Sequence, residues 1–220
     1  MSEADINNGV IFLSKFQAGT PTVIGGMGRG GTTAIAKAFA YSGLPYRIKK
    51  EHSSGTRNWE FMPAVLSFQH ANPLVLEDYI NRENEEWGHT EWITKVPMSE
   101  RYLMNDERKL KLWKKNNVII CSRDIVAGTC RELLVQEHRA DVQDTLVCRY
   151  GNYLQSMSAA CTLAQRGVGV ILVSYEKLLL NPARVLNDIF TWMGKEEEVN
   201  LEEAGSVVIP DNPQYRNLEA

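Results

Sequence analysis

The chain has 220 residues, 44% of them apolar and 23% charged, which suits one globular α/β domain with a single core and is too little for two independent ones. A net charge of −3 argues against a general nucleic-acid binder, which needs clustered surplus Lys and Arg, although 24 basic residues still allow one basic cleft. Cys121, Cys130, Cys148 and Cys161 form no CxxC pair, so zinc ligation and a disulfide framework give way to plain buried or half-buried thiols.

Residues 1–20 read as an N-terminal extension. Met1–Gly19 is acidic and polar around a short apolar patch, Val10–Leu13, without the basic start and apolar run of a signal peptide. Nowhere do about 18 apolar residues run together, so a cytoplasmic chain without a membrane span is expected. Thr22–Gly26 (TVIGG) reads as a short buried strand. Thr32–Ser42 follows as a helix with Ile35, Ala38 and Phe39 on one side, and Gly43 stops it. Tyr46–Lys50 suggests a second short strand. Residues 51–90 are polar and aromatic with helical pieces near 59–70 and 74–86; inserted in an α/β core, such a stretch reads as a substrate lid.

Trp92–Lys95 reads as a strand end, and Ser99–Lys115 as one amphipathic helix anchored by Leu103, Leu110 and Trp113. Val118–Ser122 (VIICS) is the clearest central strand. Helices fill roughly 124–139 and 142–166, and Val168–Ser174 is the last strong strand. In Asn181–Gly194 the asparagine caps a helix, Pro182 suits its first position and Gly194 its stop, with Val185, Leu186, Ile189, Phe190 and Met193 on one face. The tail, 195–220, shows no regular pattern. Alternating strands and helices imply a mainly parallel sheet covered on both faces, with ligands beyond the carboxyl ends of its strands. Gly25–Thr33, Lys95 and Arg123 each lie at such an end.

Between its strand and helix, Gly25–Thr33 reads GGMGRGGTT. Glycines let the backbone turn tightly and aim N–H groups inward, the next helix adds its positive end, and two threonines add hydroxyls, so an anion is the natural guest. Set against GxxxxGK[ST], Gly26 and Gly31 fill the glycine positions, but Thr32 stands where the lysine belongs and Arg29 lies inside the loop.

The segment VIGGMGRGGTTAIAKA, Val23–Ala38, resembles the 5′-phosphosulfate loop of the sulfotransferase superfamily, with Gly28 in place of the usual proline and Gly30 in place of serine. VIICSRD, Val118–Asp124, resembles the family strand whose arginine contacts the donor's 3′-phosphate; Arg123 is the matched residue, and Arg131 stands where the family usually has a serine. WITKVP, Trp92–Pro97, looks like the family's W-x-x-K-x-P segment, which places Lys95 at the phosphosulfate. ILVSYEKLLLNP, Ile171–Pro182, resembles its YEDLL-x-x-P signature, in which Tyr175 and Glu176 tie strand to helix. The family's R-K-G-x-x-G tail loop has no counterpart beyond Arg216.

The resemblance implies one P-loop-type domain of three α/β/α layers over 1–220. It implies 3′-phosphoadenosine 5′-phosphosulfate (PAPS) as donor, adenosine 3′,5′-bisphosphate (PAP) as product, and a carbohydrate or small-molecule acceptor. Gly28, Arg29, Gly30, Gly31, Thr32, Thr33, Arg123 and Arg131 are the implied donor-binding set, with Arg29 and Lys95 stabilising the leaving oxygen. A sulfuryl group carries less negative charge than a phosphoryl group, so no metal is called for. For the base that activates the acceptor, KKEHSS (Lys49–Ser54) offers Glu51 and His52, with Glu60 a third candidate; His52 is preferred because its ordinary pKa lies near neutrality. Two other readings stay open: a small-molecule or nucleotide kinase with a variant P-loop, and a binding module that keeps the loop without chemistry.

Overall fold

Four runs of apolar, largely β-branched residues are buried on both sides, the pattern of parallel strands covered by helices on each face. The computed structural model describes residues 9–28, 30–47, 60–135 and 141–209, excepting the side chains of Arg131, Leu134 and Val135. Its strands are β1 (Val10–Phe12), β2 (Thr22–Gly25), β3 (Ile93–Lys95), β4 (Asn117–Ser122) and β5 (Gly169–Ser174). They form one sheet in the order β1-β5-β4-β2-β3. β5, β4, β2 and β3 run parallel, and β1 closes one edge antiparallel to β5.

The helices are α1 (Thr32–Ser42), α2 (Met62–Gln69), α3 (Pro73–Trp87), α4 (Ser99–Met104), α5 (Glu107–Trp113), α6 (Ile125–Val135), α7 (Val142–Gln165), α8 (Tyr175–Leu180), α9 (Pro182–Met193) and α10 (Leu201–Ser206). Successive strand residues point to opposite faces. On one face Ile24, Ile119, Cys121, Ile171 and Val173 meet α1, α9 and α10. On the other, Val23, Val118, Ile120 and Val170 meet α2–α5 and α7. The result is a three-layer α/β/α domain of P-loop type.

Several expectations need correction. Residues 99–115 hold two helices, because the side chain of Asp106 accepts from Arg108 N–H and caps a new start at Glu107; Leu103, Leu110 and Trp113 are nevertheless all buried. The tail is not wholly irregular: Asn200 caps α10, which buries Ala204. The N-terminal extension supplies edge strand β1; of the expected strand at 46–50, Tyr46 pairs in a single bridge to Ile93, and residues 48–50 lie outside the described ones. Within 51–90, α2 and α3 are part of the core wall, with Ala64, Phe68, Leu76 and Tyr79 fully buried; residues 51–59 lie outside the described ones. Trp92 is also core, its indole N–H donating to Asn84 Oδ1 at 2.8 Å. Of the cysteines only Cys121 is buried, and Cys130, Cys148 and Cys161 are exposed free thiols. No described helix is long and apolar enough to cross a membrane.

Candidate active site

β2 is flanked by β4 on one side and β3 on the other. The loop that follows it therefore opens between the carboxyl ends of those two strands, and the residues leaving β3 and β4 become its walls. Three of the loop glycines, Gly26, Gly30 and Gly31, are each required by a different neighbour. A Cβ on Gly26, whose φ is 110°, would stand 2.2 Å from the carbonyl oxygen of Cys121. On Gly30 it would meet Met27 O at 2.7 Å, and on Gly31, at φ 92°, the Tyr175 ring at 2.2 Å. The loop is thus pressed onto the end of β4 and onto α8, a cradle that side chains would fill. Gly28, at the tip, has open space around it.

Two of the loop's amides are committed to its shape. Gly30 N–H closes a turn onto Met27 O at 2.9 Å. Gly26 N–H donates to Glu100 Oε2 at 3.0 Å, and the other oxygen of Glu100 accepts from the Ser156 hydroxyl. Burial pushes the Glu100 carboxyl above its usual range, opposed by these hydrogen bonds. Helix α1 starts behind Gly31, which brings no capping side chain; Ala34 N–H closes its first turn onto Gly31 O at 3.0 Å, and the positive end of the helix lies at the loop.

Lys95 ends β3, in register with Ile24 of β2. Its side chain is 1% exposed, and the ammonium donates to Thr33 Oγ1 at 2.9 Å and lies 3.2 Å from Glu60 Oε1. A buried ammonium needs such partners. The contact joins the strand end, the first turn of α1 and Glu60, two residues before α2. Tyr46 is close by, its phenol held well above the ordinary range by burial first and then by the Glu60 carboxylate.

Arg123 follows β4 on the opposite wall. Its guanidinium carbon lies 5.1 Å from the centre of the Tyr175 ring and its Nε 3.9 Å from Glu176 Oε1. The same Glu176 oxygen accepts the Asp124 N–H at 3.0 Å, and Asp124 accepts from Ala127 N–H at 2.9 Å in the first turn of α6. Tyr175 and Glu176, expected to join strand to helix, therefore also shape the site: the ring sits under Gly31 and beside Arg123.

Arg29, Glu51 and His52 lie outside the described residues, as does the side chain of Arg131. Gly28, Gly30, Gly31, Thr32, Thr33, Lys95 and Arg123 are brought together at the carboxyl end of the sheet. Two further groups carry no motif. Glu100 sits under the loop, and Arg149 donates from Nη2 to Gly28 O at 3.2 Å. Beside Arg149 the loop tip borders a hollow of about 400 Å³ lined also by Met27, Met98, Glu132 and Asn152, a size that takes a small ligand. His70 and His89 serve local turns, accepting from Asn72 and Glu91 N–H at 3.0 and 3.2 Å. Among the described residues no group of three or more His, Cys, Asp or Glu could hold a metal ion.

No family model and no curated protein sequence matches the chain. Among solved structures it resembles the sulfotransferase domain from the Synechococcus PCC 7002 olefin synthase. That match has a TM-score of 0.51 and 14% identity, and covers 90% of this chain and 80% of that one. At this identity the likeness is one of fold: the chain has a sulfotransferase-like fold.

Proposed function

We propose that the chain is a sulfotransferase that takes PAPS as donor and moves its sulfuryl group to a hydroxyl or amine of a carbohydrate or small-molecule acceptor. The observation that carries this reading is the buried Lys95 ammonium bonded to Thr33 at the head of α1, beside a loop in which Gly26, Gly30 and Gly31 leave no room for a Cβ. A fixed cation over an anion cup suits a donor whose reacting end is anionic.

PAPS supplies the sulfuryl group and leaves as PAP. The loop and the first turn of α1 bind its 5′ end, with Thr32 and Thr33 near it. Arg123, stacked on Tyr175, binds the second phosphate, and the side chains of Arg29 and Arg131 extend this donor set. Lys95 stabilises negative charge at the leaving oxygen, and catalysis rests on placement and preorganised charge. Glu60, already 3.2 Å from the Lys95 ammonium, is the described carboxylate placed to accept the acceptor's proton. Glu51 and His52, nearby in sequence, remain candidates for the same task.

Calorimetric titration with PAP, in parallel with ATP·Mg²⁺, tests the donor class. A micromolar response to PAP alone is expected, followed by transfer from labelled PAPS to one or more members of a pooled acceptor set. Tighter binding of ATP·Mg²⁺ sinks the reading in favour of a phosphotransferase.

A further inference from the structure

Arg149 lies in the first half of the 24-residue helix α7, where nothing in the sequence distinguishes it from a solvated helix position. The fold buries it to 10% side-chain exposure. Its guanidinium passes over Gly128 of α6, where a Cβ would stand 2.6 Å from Nη2 and 3.1 Å from Cζ. Nη1 lies 3.7 Å from Glu132 Oε2, one helical turn beyond Gly128. Helix α6 thus presents a slot and a counter-charge at i and i+4, and α7 fills them with one side chain. Glycine inside a helix is unfavourable by about 0.5–1 kcal/mol relative to alanine; the guanidinium is the physical reason for it here.

What the guanidinium reaches is the phosphate loop, through Gly28 O at 3.2 Å. Seven residues on, on the same face of α7, Ser156 donates to Glu100, whose second oxygen accepts Gly26 N–H. One face of α7 therefore holds the loop at two points, directly at Gly28 and through Glu100 at Gly26. A carbonyl oxygen beside an anion site repels the anion. The Gly28 oxygen is instead committed to a cation.

We propose that Arg149 is a positioning residue for anion binding: seated in the Gly128–Glu132 slot, it holds the Gly28 carbonyl and so keeps the loop in its anion-accepting shape. This rests on the donor reading only for the identity of the anion, not for the role of the loop.

The test measures binding of inorganic pyrophosphate and of PAP by calorimetry, with melting temperature in parallel, for wild type, Arg149→Ala and Gly128→Ala. Arg149→Ala weakens both anions by about tenfold or more, the scale of one charge-assisted hydrogen bond, and millimolar guanidinium ion restores part of the loss. Gly128→Ala displaces the flexible end of Arg149 while favouring the helix, so anion affinity falls without a fall in melting temperature. That divergence is not expected of a residue that merely packs. Unchanged anion affinity in both variants overturns the proposal, as does a wild type that binds neither anion. A loss in Arg149→Ala that tracks a lower melting temperature, with Gly128→Ala binding as wild type, overturns it too. If pyrophosphate responds as expected but wild type binds PAP no better than ATP·Mg²⁺, the donor reading falls and the Arg149 assignment stands.

Discussion

Lys95→Met is the sharpest perturbation of the proposed chemistry, because methionine keeps the buried stem and removes only the charge. In the wild type the side chain is 1% exposed, its ammonium 2.9 Å from Thr33 Oγ1 and 3.2 Å from Glu60 Oε1. Breaking a fully buried pair by removing one partner is unfavourable by about 3–5 kcal/mol. The Glu60 side chain keeps 23% exposure, so water takes up part of its stranded charge, and about 1–3 kcal/mol of stability should be lost. Adding Glu60→Gln removes the stranded charge and should recover most of that loss, which a double-mutant cycle by chemical denaturation reads directly. Activity should not recover. Loss of one preorganised charge aimed at the leaving oxygen lowers kcat by about 100–1000-fold, measured as transfer from labelled PAPS, while PAP affinity moves far less. Transfer within about tenfold of wild type in Lys95→Met refutes the assigned role, and further destabilisation by Glu60→Gln refutes the electrostatic reasoning.

Gly31→Ala must place a Cβ in the left-handed region and 2.2 Å from the Tyr175 ring; we expect at least about 2 kcal/mol of destabilisation with loss of PAP binding, by denaturant melts and calorimetry. Glu176→Gln keeps an acceptor for Asp124 N–H but removes the negative charge near Arg123, so PAP should bind about two- to fivefold more tightly at low salt, with the gain shrinking as salt is added. Burial holds the Glu100 carboxyl above its reference value of 4.5, so the folded chain retains that proton more firmly than the unfolded chain. Its contribution is present below pH 4.5 and is lost as pH rises through the raised value. The difference in melting temperature between wild type and Glu100→Gln should therefore shift in the variant's favour over that interval, and a pH-independent difference counts against the assignment.

The sheet and the loop were legible because their signals are dense. β-branched runs mark β2, β4 and β5, the first and last of them flanked by glycine, and five glycines before two threonines admit few shapes besides an anion cup. Helix α10 was not legible, since its six residues are shorter than the window in which a helical period shows. The break between α4 and α5 was hidden because apolar anchors continue across it, and only the Asp106 cap reveals the new start. Glu100 and Arg149 were missed for a related reason. Each is one charged residue among many in helical segments, and their importance comes from packing against residues 74 and 121 positions away. The sequence marks Tyr175 only as a tie from strand to helix, because its second contact, under Gly31, depends on how α8 packs against the loop.

A common feature links three of the described cations at this site. Lys95 from β3 lies near Glu60, Arg123 beyond β4 near Glu176 of α8, and Arg149 from α7 near Glu132 of α6. In each case the carboxylate comes from an element other than the cation's own. Burying a cation without a counter-charge is prohibitive, so a domain that folds before meeting its donor must supply internal anions. Those anions fix the direction of each cation in advance, which favours preorganised binding. They also set a limit on affinity, because a phosphate or sulfonate arriving at Arg123 or Lys95 competes with a carboxylate already within about 4 Å. Donor binding is then an exchange of counter-ions. In the proposed reaction the exchange at Lys95 would have a chemical consequence: the carboxylate it releases would be Glu60, 3.2 Å away, free to take a proton only once the anionic donor has claimed the lysine.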